Sequence, residues 1–171
     1  YKKALSQFKK DDFKTQEMIV YNGLGKLYST LIFNQRKKSS ILNYFELSTK
    51  NLGKSLELSM SLNNIKLKVD NYYELAKLNI NILRVVNILF DQEKRIINNL
   101  NYALKENEQL KNNQLLYRHN KALISSEFAH YYMLNNQIEK AKLVIREVID
   151  EYTILSNLDK NMYLEEHLTQ L

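Results

Sequence analysis

Glu127 and His130 stand three residues apart. On a helix that spacing puts a carboxylate and an imidazole on one face, the arrangement by which carboxylate-bridged bundles hold a pair of metal ions. Such a centre needs a second Glu-x-x-His pair and two more carboxylates on facing helices. The chain has no second pair, only three histidines (His119, His130 and His167) and no cysteine, so no metal site is expected. His130 then reads as a groove or surface residue. Phosphate-cradling loops fare no better: the three glycines, Gly23, Gly25 and Gly53, make no G-x-x-x-x-G-K-[ST], G-x-G-x-x-G or G-x-S-x-G pattern. The acid pairs Asp11-Asp12 and Glu165-Glu166 fall at predicted helix ends, where a carboxylate offsets the helix dipole. No converging set of catalytic groups emerges, and the chain is expected to be neither an enzyme nor a cofactor carrier.

The elements that would position these residues are helical. The chain has 171 residues with no Pro and three Gly, against average usage of about 5% and 7%. Tight-turned strands are therefore disfavoured, and Leu, Ile, Lys and Glu favour helix. The fold class expected is all-α. A chain of this length suits one domain, residues 1–171, with enough core to fold without staples. The most apolar stretch, Ile80 to Phe90, is interrupted by Asn81, Arg84 and Asn87, so no membrane span is predicted. The absence of cysteine suits a reducing, cytoplasmic setting. Helical character from Tyr1 to Phe8, with no initiator Met, reads as a fragment of a longer protein.

Net charge is +6, unevenly placed: residues 1–68 hold 13 Lys and Arg against 5 Asp and Glu, and residues 69–171 hold 12 against 14. A basic first part admits a nucleic-acid-binding helical domain as a third-ranked reading. The lysines are dispersed along helix faces, however, and Arg36-Lys37-Lys38 is only a short loop cluster.

With Pro and Gly nearly absent, punctuation falls to Asn, Asp and Ser, which bond nearby backbone. Breaks are expected near Lys9 to Asp12, Asn34 to Ser39, Asn63-Asn64, Asp91, Asn112-Asn113, Asn135-Asn136 and Asn157 to Asp159. Asn136 is expected to cap a helix from about Gln137 to Leu155, with Glu139 reaching back to its NH. In the third long helix Tyr72, Ala76, Asn79, Leu83, Val86 and Phe90 form a stripe, and Leu78, Val85 and Ile88 lie beside a polar strip of Glu74, Lys77, Asn81 and Arg84. Apolar around much of its circumference, that helix is expected to be central. The polar break at Asn79 requires either a partnered amide or a slightly rotated stripe.

Residues 122–155 place Ser125, Phe128, Ala129, Tyr132, Ala141, Ile145 and Val148 at the spacing of a helix-turn-helix repeat, and so resemble the tetratricopeptide (TPR) unit of 34 residues. Tyr21, Leu24, Gly25 and Tyr28 match its first helix. The second helix realigns at Ser40, Tyr44 and Leu47 only after a connection three residues longer. A weaker middle unit would use Tyr73, Ala76 and Ile80, then Ile96, Leu100 and Ala103, after a connection seven residues longer. The resemblance implies antiparallel helix pairs stacked as a TPR-like superhelix, the alternative being an irregular helical bundle.

Long, Asn-rich units of this kind are also similar to the sensor domains of peptide-pheromone-responsive regulators of low-GC Gram-positive bacteria. That resemblance implies a non-catalytic peptide- or protein-binding module, the ligand-sensing or docking part of a transcriptional regulator in a quorum-sensing circuit. DNA would be met only through a module outside this chain. Groove positions of the repeat fall on Ile19, Asn22, Lys26 and Ser29 in the first unit and on Leu123, Ser126, His130 and Met133 in the last. With the polar strip, the candidate ligand-binding residues are Asn22, Lys26, Lys77, Asn81, Arg84 and His130, an amide serving as both donor and acceptor to a peptide unit. The competing interaction reading is a scaffold or oligomerisation domain forming a homodimer through exposed apolar end helices.

Overall fold

The computed structural model describes residues 13–86 and 92–158. The expectations for Tyr1 to Asp12, Ile88, Phe90, Asp91, Asp159, Glu165-Glu166 and His167, and for the side chain of Val86, lie outside the described residues. Those described form six α-helices and no strand, as the composition requires: α1 (Lys14–Ile32), α2 (Lys38–Ser61), α3 (Ile65–Val86), α4 (Gln92–Asn107), α5 (Gln114–Leu134) and α6 (Ile138–Leu158), with a short 3-10 turn at Glu108–Leu110. The chain divides into two compact units, the first ending at Ala103 and the second beginning at Leu104. None of the helices among the described residues is long and apolar enough to cross a membrane.

Asparagine does the work of glycine at two of the turns. Asn63 and Asn136 have positive φ, 49° and 55°, a left-handed conformation that Asn tolerates better than most side-chain-bearing residues. Each closes the helix before it. Asn64 N donates to Ser59 O at 2.8 Å and Asn63 N to Met60 O at 3.2 Å; Gln137 N donates to Tyr132 O at 2.8 Å and Asn136 N to Met133 O at 3.1 Å. These bonds satisfy carbonyls that a helix end leaves open. Asn136 therefore terminates α5, and the expectation that it caps α6 is corrected, because its left-handed backbone differs from the extended one a cap needs. Helix starts use other asparagines: Asn64 Oδ1 accepts from Leu67 N and Asn113 Oδ1 from Leu116 N, both at 3.1 Å.

In the first unit, α1 and α2 are antiparallel and unusually close. A Cβ built on Gly25 would lie 2.5 Å from Leu52 Cγ, so only glycine admits the Leu52 side chain. Two α2 hydroxyls bond α1 carbonyls across the same seam: Ser48 Oγ to Gly25 O at 2.8 Å and Ser55 Oγ to Met18 O at 3.0 Å. Tyr21, Leu24, Gly25 and Tyr28, the matched positions of the repeat, are all buried. On α2 the expected trio Ser40, Tyr44 and Leu47 is half-buried, and the fully packed face is Ile41, Ser48, Leu52, Ser55 and Ser59. Ile32, Ile41, Leu52, Leu78 and Ile82 make a core to which three helices contribute, while Val20, Leu24 and Tyr28 make a second one, with Tyr44 against both.

Helix α3 contacts both α1 and α2, in keeping with its broad apolar surface. Its buried residues include Val69, Ala76, Leu78, Ile80 and Ile82 as well as Asn71, Asn79 and Asn81. Asn79 is buried and donates from Nδ2 to Leu75 O at 2.6 Å, so the amide within the expected stripe faces inward and is only half satisfied, its Oδ1 buried with no hydrogen-bond partner among the described residues. Ile96, Leu100 and Ala103 of α4 are all fully buried.

In the second unit α5 and α6 are antiparallel, with Ala122, Ala129, Ala141, Val148 and Leu155 buried. An ion triad joins them: Glu151 Oε2 accepts from Arg118 Nη1 at 2.8 Å and Oε1 from Lys121 Nζ at 2.6 Å. Burial alone would raise the Glu151 carboxyl pKa, but the bonds from Lys121 and Arg118 outweigh it and hold the group below the ordinary range. The bond to Glu151 raises that of Lys121. Asn107, at the end of α4, is buried and fixed to α5 by Nδ2 to Tyr117 O at 2.8 Å and by accepting from Asn120 Nδ2 at 3.0 Å.

Candidate functional site

Within the first unit α1 and α3 run parallel, as shown by paired contacts that advance together along both helices. A ladder of polar side chains sets their separation. Asn71 Nδ2 donates to Ser55 Oγ at 2.9 Å, and Asn22 Nδ2 donates to Asn71 Oδ1 at 3.0 Å and to Asp70 Oδ2 at 2.8 Å. Lys26 Nζ, one turn further along α1, pairs with Asp70 at 2.7 Å and approaches Glu74 at 3.7 Å. Leaving a buried amide unpartnered is costly, so the bonds that Asn22 and Asn71 make across α1, α2 and α3 hold these helices in position.

The ladder surfaces at a cleft of about 350 Å³ between α1 and α3, lined by Lys26, Ser29, Thr30, Phe33, Glu74, Lys77 and Asn81. Its chemistry is mixed. Lys26 is partnered by two carboxylates, whereas the Lys77 ammonium lies 5.5 Å from the centre of the Tyr73 ring, a cation–π contact. Phe33, at the end of α1, is 55% exposed and supplies an apolar wall. Asn81 is buried at the cleft's edge. Thr30 Oγ1 donates to Lys26 O at 3.1 Å, which settles that hydroxyl against its own helix.

Of the six residues singled out from sequence, Lys26, Lys77 and Asn81 share this cleft. Asn22 lies beneath it with both amide hydrogens donated inside the protein. Arg84 is exposed on the last turn of α3 and is not part of the lining. His130 belongs to the second unit, where Nδ1 lies 3.2 Å from Oε2 of buried Glu127. The Glu127/His130 spacing thus makes a pair between neighbours on one helix. Among the described residues no three His, Asp or Glu side chains converge on a point that could hold a metal ion. Thr30, Phe33 and Asp70 escaped the sequence reading. Phe33 carried a usable signal, an aromatic residue at a helix end directly before the Asn34 break, but Asp70 reads as an ordinary solvated acid until α1 is placed beside α3.

Comparison with protein-family models, with curated proteins and with solved structures finds no match to this chain.

Proposed function

We propose that this chain is a non-catalytic binding module that holds a peptide or protein segment against α1 and α3, as the ligand-sensing or docking part of a regulatory protein. A peptide-responsive transcriptional regulator of the cytoplasm is the version that the repeat-like spacing favours, with the helix pairs continuing as a TPR-like superhelix. The observation that carries the reading is the cleft, where Lys26, Lys77 and Asn81 meet an exposed aromatic side chain. Amide, ammonium and apolar groups on a preformed helical wall suit a main-chain ligand with side-chain anchors. The ladder beneath it keeps the wall rigid, so little ordering is required on binding.

Display of a random peptide library against the immobilised chain tests the reading. Enrichment of a sequence family whose binding weakens at least tenfold in Asn81→Ala, with helix content unchanged, is the expected result. Enriched peptides indifferent to Asn81→Ala and Lys77→Ala would remove the cleft from the account.

A second reading, self-association, draws on α6, where Leu143, Ile149 and Leu158 are each about half exposed. Exposed apolar side chains on the last described helix suit a second copy of the chain. Light scattering over a concentration series would show mass rising toward a dimer, and Leu143→Glu would abolish the rise.

A further inference from the structure

We propose that the cleft selects a peptide segment carrying one acidic side chain beside an apolar one, the carboxylate meeting Lys77 and the apolar group meeting Phe33. This deepens the binding-module reading and rests on it. The two lysines of the lining are not equivalent. Lys26 is held by Asp70 at 2.7 Å with Glu74 at 3.7 Å, and its charge is matched within the protein. Lys77 has a ring for its partner, the Tyr73 face at 5.5 Å, a contact that leaves the ammonium able to pair with a carboxylate. Glu74 lies in the same lining and repels any second negative group. Lys26 and Lys77 are balanced by Asp70 and Glu74, so the cleft has room for a single carboxylate at Lys77 and disfavours a polyanion such as a nucleic-acid backbone, which needs several unmatched cations in a row.

Phe33 sets the companion group. Its ring is 55% exposed where α1 ends, on the same cleft. Covering that ring favours an apolar side chain near the acidic one. Asn81, one turn beyond Lys77 on α3, lines the cleft where a peptide unit could use both its donor and its acceptor.

The test is an NMR titration of the isotopically labelled chain with four acetylated, amidated hexapeptides, identical except for a central Leu-Asp, Leu-Asn, Ser-Asp or Ser-Asn pair. The Leu-Asp peptide is expected to shift the amide signals of Thr30, Phe33, Lys77 and Asn81, with a Kd at least fivefold below those of the Leu-Asn and Ser-Asp peptides. Lys77→Gln should erase the difference between Asp and Asn while preserving the dispersion of the spectrum. The Asp-against-Asn comparison on the unaltered chain stands even if that variant folds poorly. Equal binding of Asp and Asn peptides overturns the charge assignment and leaves the binding module intact. A preference that emerges only when the carboxy-terminal amide is replaced by a free carboxylate also overturns it, assigning Lys77 to a chain terminus. Failure of every peptide, blocked or free-ended, to move any cleft signal overturns both this inference and the function on which it rests.

Discussion

The α1–α2 seam of the first unit and the α5–α6 seam of the second join antiparallel helices by different means. Across α1–α2 the contact is close and nearly neutral: glycine opposite leucine, with two serine hydroxyls bonded to main-chain carbonyls. Across α5–α6 buried alanines are accompanied by a buried carboxylate held by two cations from the facing helix. A hydroxyl bonded to a carbonyl has little desolvation cost to recover, whereas a buried carboxylate depends on both partners. The first seam should therefore respond to changes of volume and the second to changes of charge and pH.

The largest effect is expected on the charged seam. Replacing both partners in Arg118→Met/Lys121→Met strands the Glu151 carboxylate and should cost about 3 kcal/mol, read from denaturant unfolding. Replacing the acid in Glu151→Gln leaves two cations that reach water and should cost about 1 kcal/mol. Equal losses would mean that the triad is not asymmetrically buried. Gly25→Ala comes next. Its helix-propensity gain of about 1 kcal/mol is outweighed by collision with Leu52, for a net loss of about 1–2 kcal/mol. Against a Leu52→Ala background, itself costly, the same change should become neutral or stabilising. A double-mutant cycle without that reversal would separate Gly25 from Leu52.

The pH response follows from the sign of the Glu151 shift. Its folded carboxyl lies below the ordinary carboxylate value, so the stabilisation is complete above about pH 5 and is lost as pH falls through the lowered folded value. The gap in stability between the unaltered chain and Arg118→Met/Lys121→Met should close across that acid range. A gap that stays constant to pH 2 would contradict the shift. The smallest effect is Gly53→Ala, where nothing lies within 4 Å of the new methyl. It should stabilise by about 0.5–1 kcal/mol, the opposite sign from Gly25→Ala.

The helices were legible because their breaks are written in asparagine, and the all-α class because Pro and Gly are so scarce. Spacing also marked Ala129, Ala141 and Val148 on the second seam and Tyr21, Leu24, Gly25 and Tyr28 on the first, since large and small residues alternate there at helical intervals. The α2 face was missed for a physical reason. Ser48, Ser55 and Ser59 count as polar in any hydropathy pattern, yet a serine bonded to a carbonyl packs as a small residue. The same blindness touched the site. Asn22 and Asn81 look alike in sequence, and only the position of Asp70 and Asn71 on α3 shows that the first donates both its amide hydrogens inward while the second stands at the cleft. Lys26 and Lys77 likewise look alike until Asp70 and Glu74, 44 and 48 residues away, are seen to pair with the first, while Lys77 keeps to Tyr73 on its own helix. The breaks expected near Asn34 and Asn136 fell close to the helix ends, but cap and terminator cannot be told apart without φ.

Ser48 bonds to Gly25 and Ser55 to Met18, so two contacts seven residues apart on each helix repeat one another. Alone, such a repeat would be degenerate: sliding α2 by seven residues would set Ser55 against Gly25 and preserve one of the bonds. The glycine notch does not repeat, because seven residues either side of Gly25 stand Met18 and Ile32. A slid Leu52 would meet a bulky side chain instead of an open backbone. Gly25 thus acts as an indexing stop that fixes the register of α2 along α1.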